Sequence, residues 1–316
     1  MVIRFMTEIS VIIPLLNKGL YIKRAIDSIL TQEYQNFEII VIEGGSTDEG
    51  PDIVKSISDS RIKLITQPTK GVSEARNFGV AASNGYLIAF LDADDEWLPK
   101  HLNTIMKLRK KFPEAGAYTT AYKICNKNGK LRWPKYRAIP PPPWEGLLPN
   151  YFSSAVRGEY PVWTSAVCIP KNIFTGMGGF PVDAWWGEDA DLWGKIALKY
   201  PIAFSWDIGA IYHWDALDRT CSRPSLNEEP FVKTGKRAIA EEMVPDAILP
   251  DFIEYINKKE IYRAACNIMA GNRELSRRIL KDTDTYLFHP QKILLEIFSF
   301  LPHKITGPLI RFFLYH

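Results

Sequence analysis

The run Tyr86-Leu-Ile-Ala-Phe-Leu-Asp92-Ala-Asp94-Asp95-Glu-Trp97 carries an apolar strand straight into three carboxylates within four positions. Carboxylates this close repel one another unless positive charge lies among them. Hard divalent cations such as Mg²⁺ and Mn²⁺ suit such a place, because they take oxygen ligands and share them between one or two carboxylates and the phosphates of a substrate. The strand end therefore reads as a seat for a metal-bound diphosphate, against the plainer reading of a solvated acidic turn. A calcium loop of the EF-hand type is excluded: counted from Asp92 it needs Gly sixth and Glu twelfth, where Trp97 and Asn103 stand.

Three further polar clusters could work with it. Glu43-Gly-Gly-Ser46-Thr-Asp48 follows an apolar run; its glycines permit close backbone approach and its acids can accept from a base or ribose. Gly71-Val-Ser-Glu-Ala-Arg76-Asn77-Phe-Gly79 places a cation at a small-residue helix start, suited to a phosphate. Trp185-Trp186-Gly-Glu188-Asp189-Ala-Asp191 sets acids beside tryptophans. Those acids could simply cap a helix, or a carboxylate there could take a proton from a sugar hydroxyl while Trp185, Trp186 and Trp163 stack on the ring. His213 reads as an ordinary histidine or as a third metal ligand. Neither a P-loop nor GxGxxG occurs, which weakens kinase and dinucleotide readings.

The elements that must position these groups follow from hydrophobic periodicity. Runs at Ser10–Leu16, Phe37–Ile42, Ile62–Thr66 and Tyr86–Leu91 read as strands alternating with helices, the pattern of βαβ units and a largely parallel sheet. Ile22, Ala25, Ile26, Ile29 and Leu30 recur at helical spacing, with Asn17 as the expected cap. Helices are expected over Asp52–Ser58, from Ser73 or Glu74, and after Pro99. In open α/β sheets ligands sit outside the carboxyl ends of the strands, where Pro14–Asn17, Glu43–Asp48 and Asp92–Asp95 should converge. Residues 126–163, rich in Pro and aromatics, read as an ordered functional loop or lid. Patterning resumes with Ser165–Pro170, a helix over Ala190–Tyr200, a strand over Ile202–His213, and helices after Asn227.

Composition bounds the rest. The 316 residues, 46% hydrophobic and 24% charged, suffice for one large core or one and a half domains. With 39 basic and 36 acidic residues the net charge of +3 is too small to argue for nucleic acid. Cys125, Cys168, Cys221 and Cys266 lie far apart and read as free thiols in a reducing compartment. No stretch of about 18 apolar residues occurs, so a secreted or membrane-spanning protein is not expected.

The order of these motifs resembles the inverting, nucleotide-sugar-dependent glycosyltransferases of family 2. The matching residues are Ser10-Val-Ile-Ile-Pro14-Leu-Leu-Asn17, Ile40–Asp48, Gly71–Asn77, Phe90–Pro99, and Gly178-Gly-Phe180 followed by Glu188-Asp189, spanning roughly residues 8–215. The resemblance implies an α/β GT-A (Rossmann-like) fold with a mostly parallel mixed sheet flanked by helices. It implies a catalytic domain over 1–225, with a nucleotide-binding half at about 8–100 and an acceptor half at 101–225, followed by a helical extension over 226–316. Pro14, Asn17, Glu43, Ser46, Asp48, Arg76, Asp92 and Ala93 fall at nucleotide-sugar-binding positions. Asp94 and Asp92, with His213, fall at the site of Mn²⁺ or Mg²⁺. Asp189 matches the catalytic base, with Glu188 beside it, and Trp163, Trp185 and Trp186 line the acceptor side. Glu43-Gly44 replaces the commoner Asp-Asp pair, which leaves the nucleotide open, a UDP-sugar being first among the candidates.

The implied partners are a nucleotide-sugar donor and a glycan or lipid-linked acceptor, with no nucleic acid. Ile293–Leu301 and Leu309–Tyr315 are too short to span a bilayer but long enough to lie on one, near Arg273, Arg277, Arg278 and Lys281. Packing against the catalytic domain is the competing reading. The expected location is cytoplasmic, or peripheral on the inner face of the membrane. Two rivals remain: a sugar-nucleotide pyrophosphorylase, whose Gly-rich, Arg-containing loop is replaced here by Pro14-Leu-Leu-Asn17, and a non-catalytic carbohydrate-binding protein of the same fold.

Overall fold

The computed structural model describes residues 7–182, 184–217 and 225–301, together with Thr306 and Ile310. Cys221 and all of the apolar run at 309–315 except Ile310 lie outside the described residues. The chain divides into two compact units, Met1–Leu217 and Asp218–His316.

In the first unit, β1 (Ile9–Leu15), β2 (Phe37–Glu43), β3 (Ile62–Thr66) and β4 (Leu87–Phe90) pair in parallel in the order β3-β2-β1-β4. Central parallel strands are covered on both faces, which is why β1, β2 and β4 read as nearly unbroken apolar runs. The crossovers are α1 (Gly19–Leu30), α2 (Gly50–Ser56) and α3 (Val72–Ala81). Ile22, Ala25, Ile26 and Ile29 form the buried stripe of α1, as their spacing predicts. Helix α3 lies so close to the sheet that a Cβ on Gly79 would stand 2.5 Å from Ile12 Cγ2.

β1 runs through Pro14 to Leu15, in line with the strand expected over Ser10–Leu16; pairing with β4 reaches only Ile12, so beyond it β1 keeps β2 alone as a neighbour and tolerates a residue without an N–H. One local expectation changes. Asn17 does not cap α1: it has φ +51, and its Oδ1 accepts from Thr47 N (2.8 Å) in the neighbouring loop.

Beyond β4 the sheet becomes mixed. The chain adds β5 (Glu96–Trp97), α4 (His101–Lys111), β6 (Ala117–Cys125), β7 (Leu131–Arg132), β8 (Glu145–Leu147) and α5 (Tyr151–Arg157). A 3₁₀ turn at Thr164–Ala166, β9 (Val167–Pro170), α6 (Lys171–Gly176), α7 (Glu188–Lys199) and β10 (Ile202–His213) follow. The order continues β4-β9-β6-β10-β5, with β7 on β6 and β8 on β10. The long pair β6 and β10 is parallel, while β5, β7, β8 and β9 join antiparallel.

The Pro/aromatic segment is anchored to this sheet through Tyr136 and Pro140. Tyr136 is buried edge-on against Tyr122, Phe204 and Trp206, and Trp206 Nε1 donates to Pro140 O at 2.8 Å. Arg132 grips Glu159 with two parallel hydrogen bonds of 2.9 and 2.8 Å.

The second unit comprises α8 (Pro230–Ala240), α9 (Leu249–Met269), α10 (Arg273–Asp282) and α11 (His289–Phe298). Ile261, Ala264, Ala265 and Ile268 of α9 meet Ile279 and Leu280 of α10, Leu295 and Phe298 of α11, and Ile310 in one apolar cluster. The opposite face of α11 leaves Ile293 and Ile297 exposed, and Phe300 beyond it. No helix among the described residues is long and apolar enough to cross a membrane.

Candidate active site

The loops after β1, β2 and β4 open on one edge of the sheet. The first two are stitched together: Asn17 N donates to Ser46 Oγ (3.1 Å), and Asp48 accepts from Gly19 N (2.7 Å) and Gly50 N (3.0 Å). Glu43 turns its carboxylate back onto its own loop, accepting from Gly45 N at 2.7 Å and from Ser46 N. Asn17, Glu43, Ser46 and Asp48 thus form one polar rim, with Pro14 beside Ile42 in the strand that leads to it.

Arg76, on α3, is the joint of the site. Its Nη2 donates to Asp92 Oδ1 (2.7 Å) and its Nη1 to Glu188 Oε1 (2.9 Å), and its buried Nε has no hydrogen-bond partner among the described residues. The guanidinium also lies over the Phe180 ring, 5.2 Å from its centroid. Burial works against the charge, but Asp92 and Glu188 outweigh it and raise the Arg76 pKa further. Asn77, one residue on, donates to Phe180 O (2.8 Å) and accepts from Phe180 N (2.9 Å). Phe180, the last residue of the Gly178-Gly179-Phe180 match, is therefore pinned through both its backbone N–H and its carbonyl to the helix that carries Arg76.

The three carboxylates after β4 meet three fates. Asp92 faces Arg76. Asp94 pairs with Lys18 Nζ (2.9 Å), while Arg24 donates to its backbone carbonyl. Ala93 is buried between them. Asp95 is also buried, accepting from Ser165 Oγ (2.5 Å), from His213 N (3.0 Å) and, at 3.5 Å, from Trp163 Nε1. Burial, then the charges of Asp94 and Asp92, push its carboxyl up to about 8. The oxygen-only donor set of Asp92 and Asp94 fits a hard divalent cation.

The 3₁₀ turn at Thr164–Ala166 connects these acids to the second cluster. Ser165 Oγ accepts from Asp92 N (3.1 Å), Ser165 O accepts from Trp97 Nε1 (2.6 Å), and Thr164 Oγ1 donates to Asp189 Oδ2 (3.3 Å). Asp189 also accepts from Ala190 N at 2.6 Å in the first turn of α7. Glu188 is buried, and burial and then Asp189 push it up to about 7 against the pull of Arg76. Trp163 stacks 4.1 Å from Tyr212, and Trp185 sits 6.1 Å from Trp186 in the loop before α7.

His213 is placed differently from the expectation. Its backbone reaches Asp95, but its imidazole is held by Asp215 (Nδ1, 3.0 Å) and Glu96 (Nε2, 3.0 Å). Among the described residues only Cys125, His213 and Asp215 bring three metal-capable side chains within 4.8 Å of one another; Asp92, Asp94 and His213 do not. The physical reason is local neutralisation: Lys18 and Arg76 answer Asp94 and Asp92, and two carboxylates claim the imidazole ring. Burial alone would lower the His213 pKa, but hydrogen bonds to Glu96 and Asp215 raise it overall.

Sequence reasoning missed Lys18, Arg24, Thr164, Ser165, Glu96 and Asp215. Lys18 adjoins a motif residue and Glu96 lies inside the acidic run, so adjacency offered a signal for those two; the others carry none.

A mixed sheet with acids from separate crossovers gathered at its carboxyl edge is the GT-A arrangement. The S. aureus protein TarS, solved as residues 1–349 in complex with UDP-GlcNAc, superimposes with a TM-score of 0.66 at 16% identity, over 96% of this chain and 91% of that one. Residues 10–162 match the family model described as Glycosyl transferase family 2. An uncharacterized glycosyltransferase of Rickettsia felis is 31% identical over 204 residues, covering 62% of this chain and 31% of its own length. A second, from Nostoc sp., is 40% identical over 104 residues, covering 32% of each. Residues 10–162 are thus a glycosyl transferase family 2 domain, and the chain shares the fold of TarS. It spans about a third of the length of these curated relatives.

Proposed function

We propose that the protein is an inverting glycosyltransferase that moves a sugar from a nucleoside-diphosphate sugar, a UDP-sugar first, to a hydroxyl of a glycan or lipid-linked acceptor. The observation that carries this reading is Arg76, which ties Asp92 of the diphosphate seat to Glu188, the neighbour of Asp189. The rim of Asn17, Glu43, Ser46 and Asp48, with Pro14 in the strand that leads to it, receives the nucleoside. Asp94 and Asp92 would hold Mn²⁺ or Mg²⁺, which when bound neutralises charge on the diphosphate. Lys18 and Arg76 place two further cations where negative charge grows on the leaving group.

Asp189, fixed by Thr164 and Ala190, takes the proton of the acceptor hydroxyl. The acceptor oxygen bonds to the anomeric carbon as the bond from that carbon to the diphosphate oxygen breaks, and the electron pair leaves with the nucleoside diphosphate. One displacement inverts the centre. Glu188 acts by positioning: it anchors Arg76 and does not face the acceptor as a second base. Trp163, Trp185 and Trp186 offer the acceptor flat apolar faces.

A panel of nucleotide sugars screened for thermal stabilisation in Mn²⁺ identifies the donor, since a ligand at a hundred times its Kd adds about 2.7 kcal/mol. With that donor, Asp189→Ala should lose about 10²- to 10⁴-fold in turnover while still binding it. Undiminished transfer by the variant removes the base assignment.

The exposed Ile293, Ile297 and Phe300, with Arg277 set against Phe300 at 4.9 Å, support peripheral contact with an anionic bilayer at the cytoplasmic face. Replacing Ile297 and Phe300 with Ser should release the protein from anionic vesicles; equal co-sedimentation of variant and parent rejects that contact.

A further inference from the structure

We propose that Cys125, His213 and Asp215 form a binding site for a thiophilic divalent cation, zinc by its ligand class, distinct from the hard-cation seat at Asp94. Cys125 and His213 are register partners at the carboxyl ends of the neighbouring parallel strands β6 and β10. Paired positions on adjacent strands project to the same face of the sheet, so thiol and imidazole stand side by side by construction. Asp215 follows two residues later in the turn that leaves β10, with its carboxylate 3.0 Å from Nδ1. One ligand atom from each of the three lies within 4.8 Å of the other two. Tetrahedral zinc, with bonds of about 2.0 to 2.3 Å, separates its ligand atoms by roughly 3.3 to 3.8 Å, so small side-chain rotations close the set.

A second, independent feature is the other side of the ring. A metal-ligating histidine ordinarily gives its remaining N–H to a carboxylate, which fixes the tautomer and strengthens the ligand. Here Nε2 lies 3.0 Å from Glu96 Oε1, while Nδ1 lies 3.0 Å from Asp215 Oδ1. Among the described residues the thiol's hydrogen bond is a long one, 3.9 Å to the Asn126 carbonyl. Sulfur sets the preference: a thiolate with imidazole and one carboxylate selects zinc-like ions, whereas the all-oxygen set of Asp92 and Asp94 selects Mg²⁺ or Mn²⁺. Three protein ligands leave one position for water. The site would fasten β6 to β10 next to the acidic loop, because His213 N donates to Asp95 and Trp214 N donates to Cys125 O at 2.7 Å.

Cobalt(II) titrated into the metal-stripped protein tests this, since a cobalt–thiolate bond gives a charge-transfer absorption that oxygen ligands do not. The expected result is one equivalent of that absorption in the parent protein, retained in Asp94→Asn, abolished in Cys125→Ser and displaced by Zn²⁺. Asp215→Ala, at an exposed turn position, and Glu96→Gln should each weaken Zn²⁺ binding by roughly tenfold or more. Absence of the band in the parent, its survival in Cys125→Ser, or its loss in Asp94→Asn overturns the site. The readout needs no sugar transfer, so it stands or falls separately from the proposed activity.

Discussion

The two halves of the large sheet use the same carboxyl edge in different ways. In β3-β2-β1-β4 each polar loop is answered by its neighbour a strand away, as Asn17 is by Thr47 and Asp48 is by Gly19. In β9-β6-β10-β5 the decisive groups find partners across long stretches of chain, as Asp95 does in Ser165 and His213. Repetitive βαβ units place successive loops side by side automatically, so their motifs can be short and self-sufficient. The irregular half has no such register and must fix its acids by tertiary contacts. Arg76 is where the two regimes meet.

The largest test of this contrast removes the joint. Arg76→Ala leaves Asp92 and the buried Glu188 facing each other's half without a cation, and breaking a buried pair this way costs about 3–5 kcal/mol. Urea unfolding should show that loss, and a midpoint unchanged from the parent would mean the halves are held together by something else.

A second perturbation acts on the irregular half alone. Folded Asp95 keeps its proton to about pH 8, whereas an unfolded aspartic acid releases it near 3.8. Its contribution to stability is therefore full below about pH 3.8, declines by up to about 1.4 kcal/mol per pH unit as pH rises, and is gone above about pH 8. Asp95→Asn keeps the shape of the protonated group, so stability measured against pH should flatten across this window. A variant whose profile keeps the parent's slope assigns that slope to another group.

The smallest expected effect belongs to the regular half. Gly79→Ala drives a methyl to 2.5 Å from Ile12 and 3.2 Å from Ile42, an overpacking worth about 1–3 kcal/mol. Thermal unfolding measures it, and a neutral result would show that α3 shifts freely on the sheet and that the regular half is less tightly specified than its packing implies.

The sequence by itself determined the strands, the amphipathic helices and the acids at the strand ends. Period-2 and period-3.6 patterns and turn glycines are local properties, and β1 to β4 are built almost wholly from them. Only the tertiary structure decided which acid does what. Asp94 and Asp95 are indistinguishable neighbours in the chain, yet one is answered by Lys18 and the other is buried against Ser165 and the His213 backbone. The Pro/aromatic segment likewise read only as a functional loop or lid because its own pattern names no partner, and Tyr136 within it is buried because β6 and β10 supply Tyr122, Phe204 and Trp206. Burial and charge neutralisation depend on residues seventy to more than a hundred positions away, and no local pattern records them.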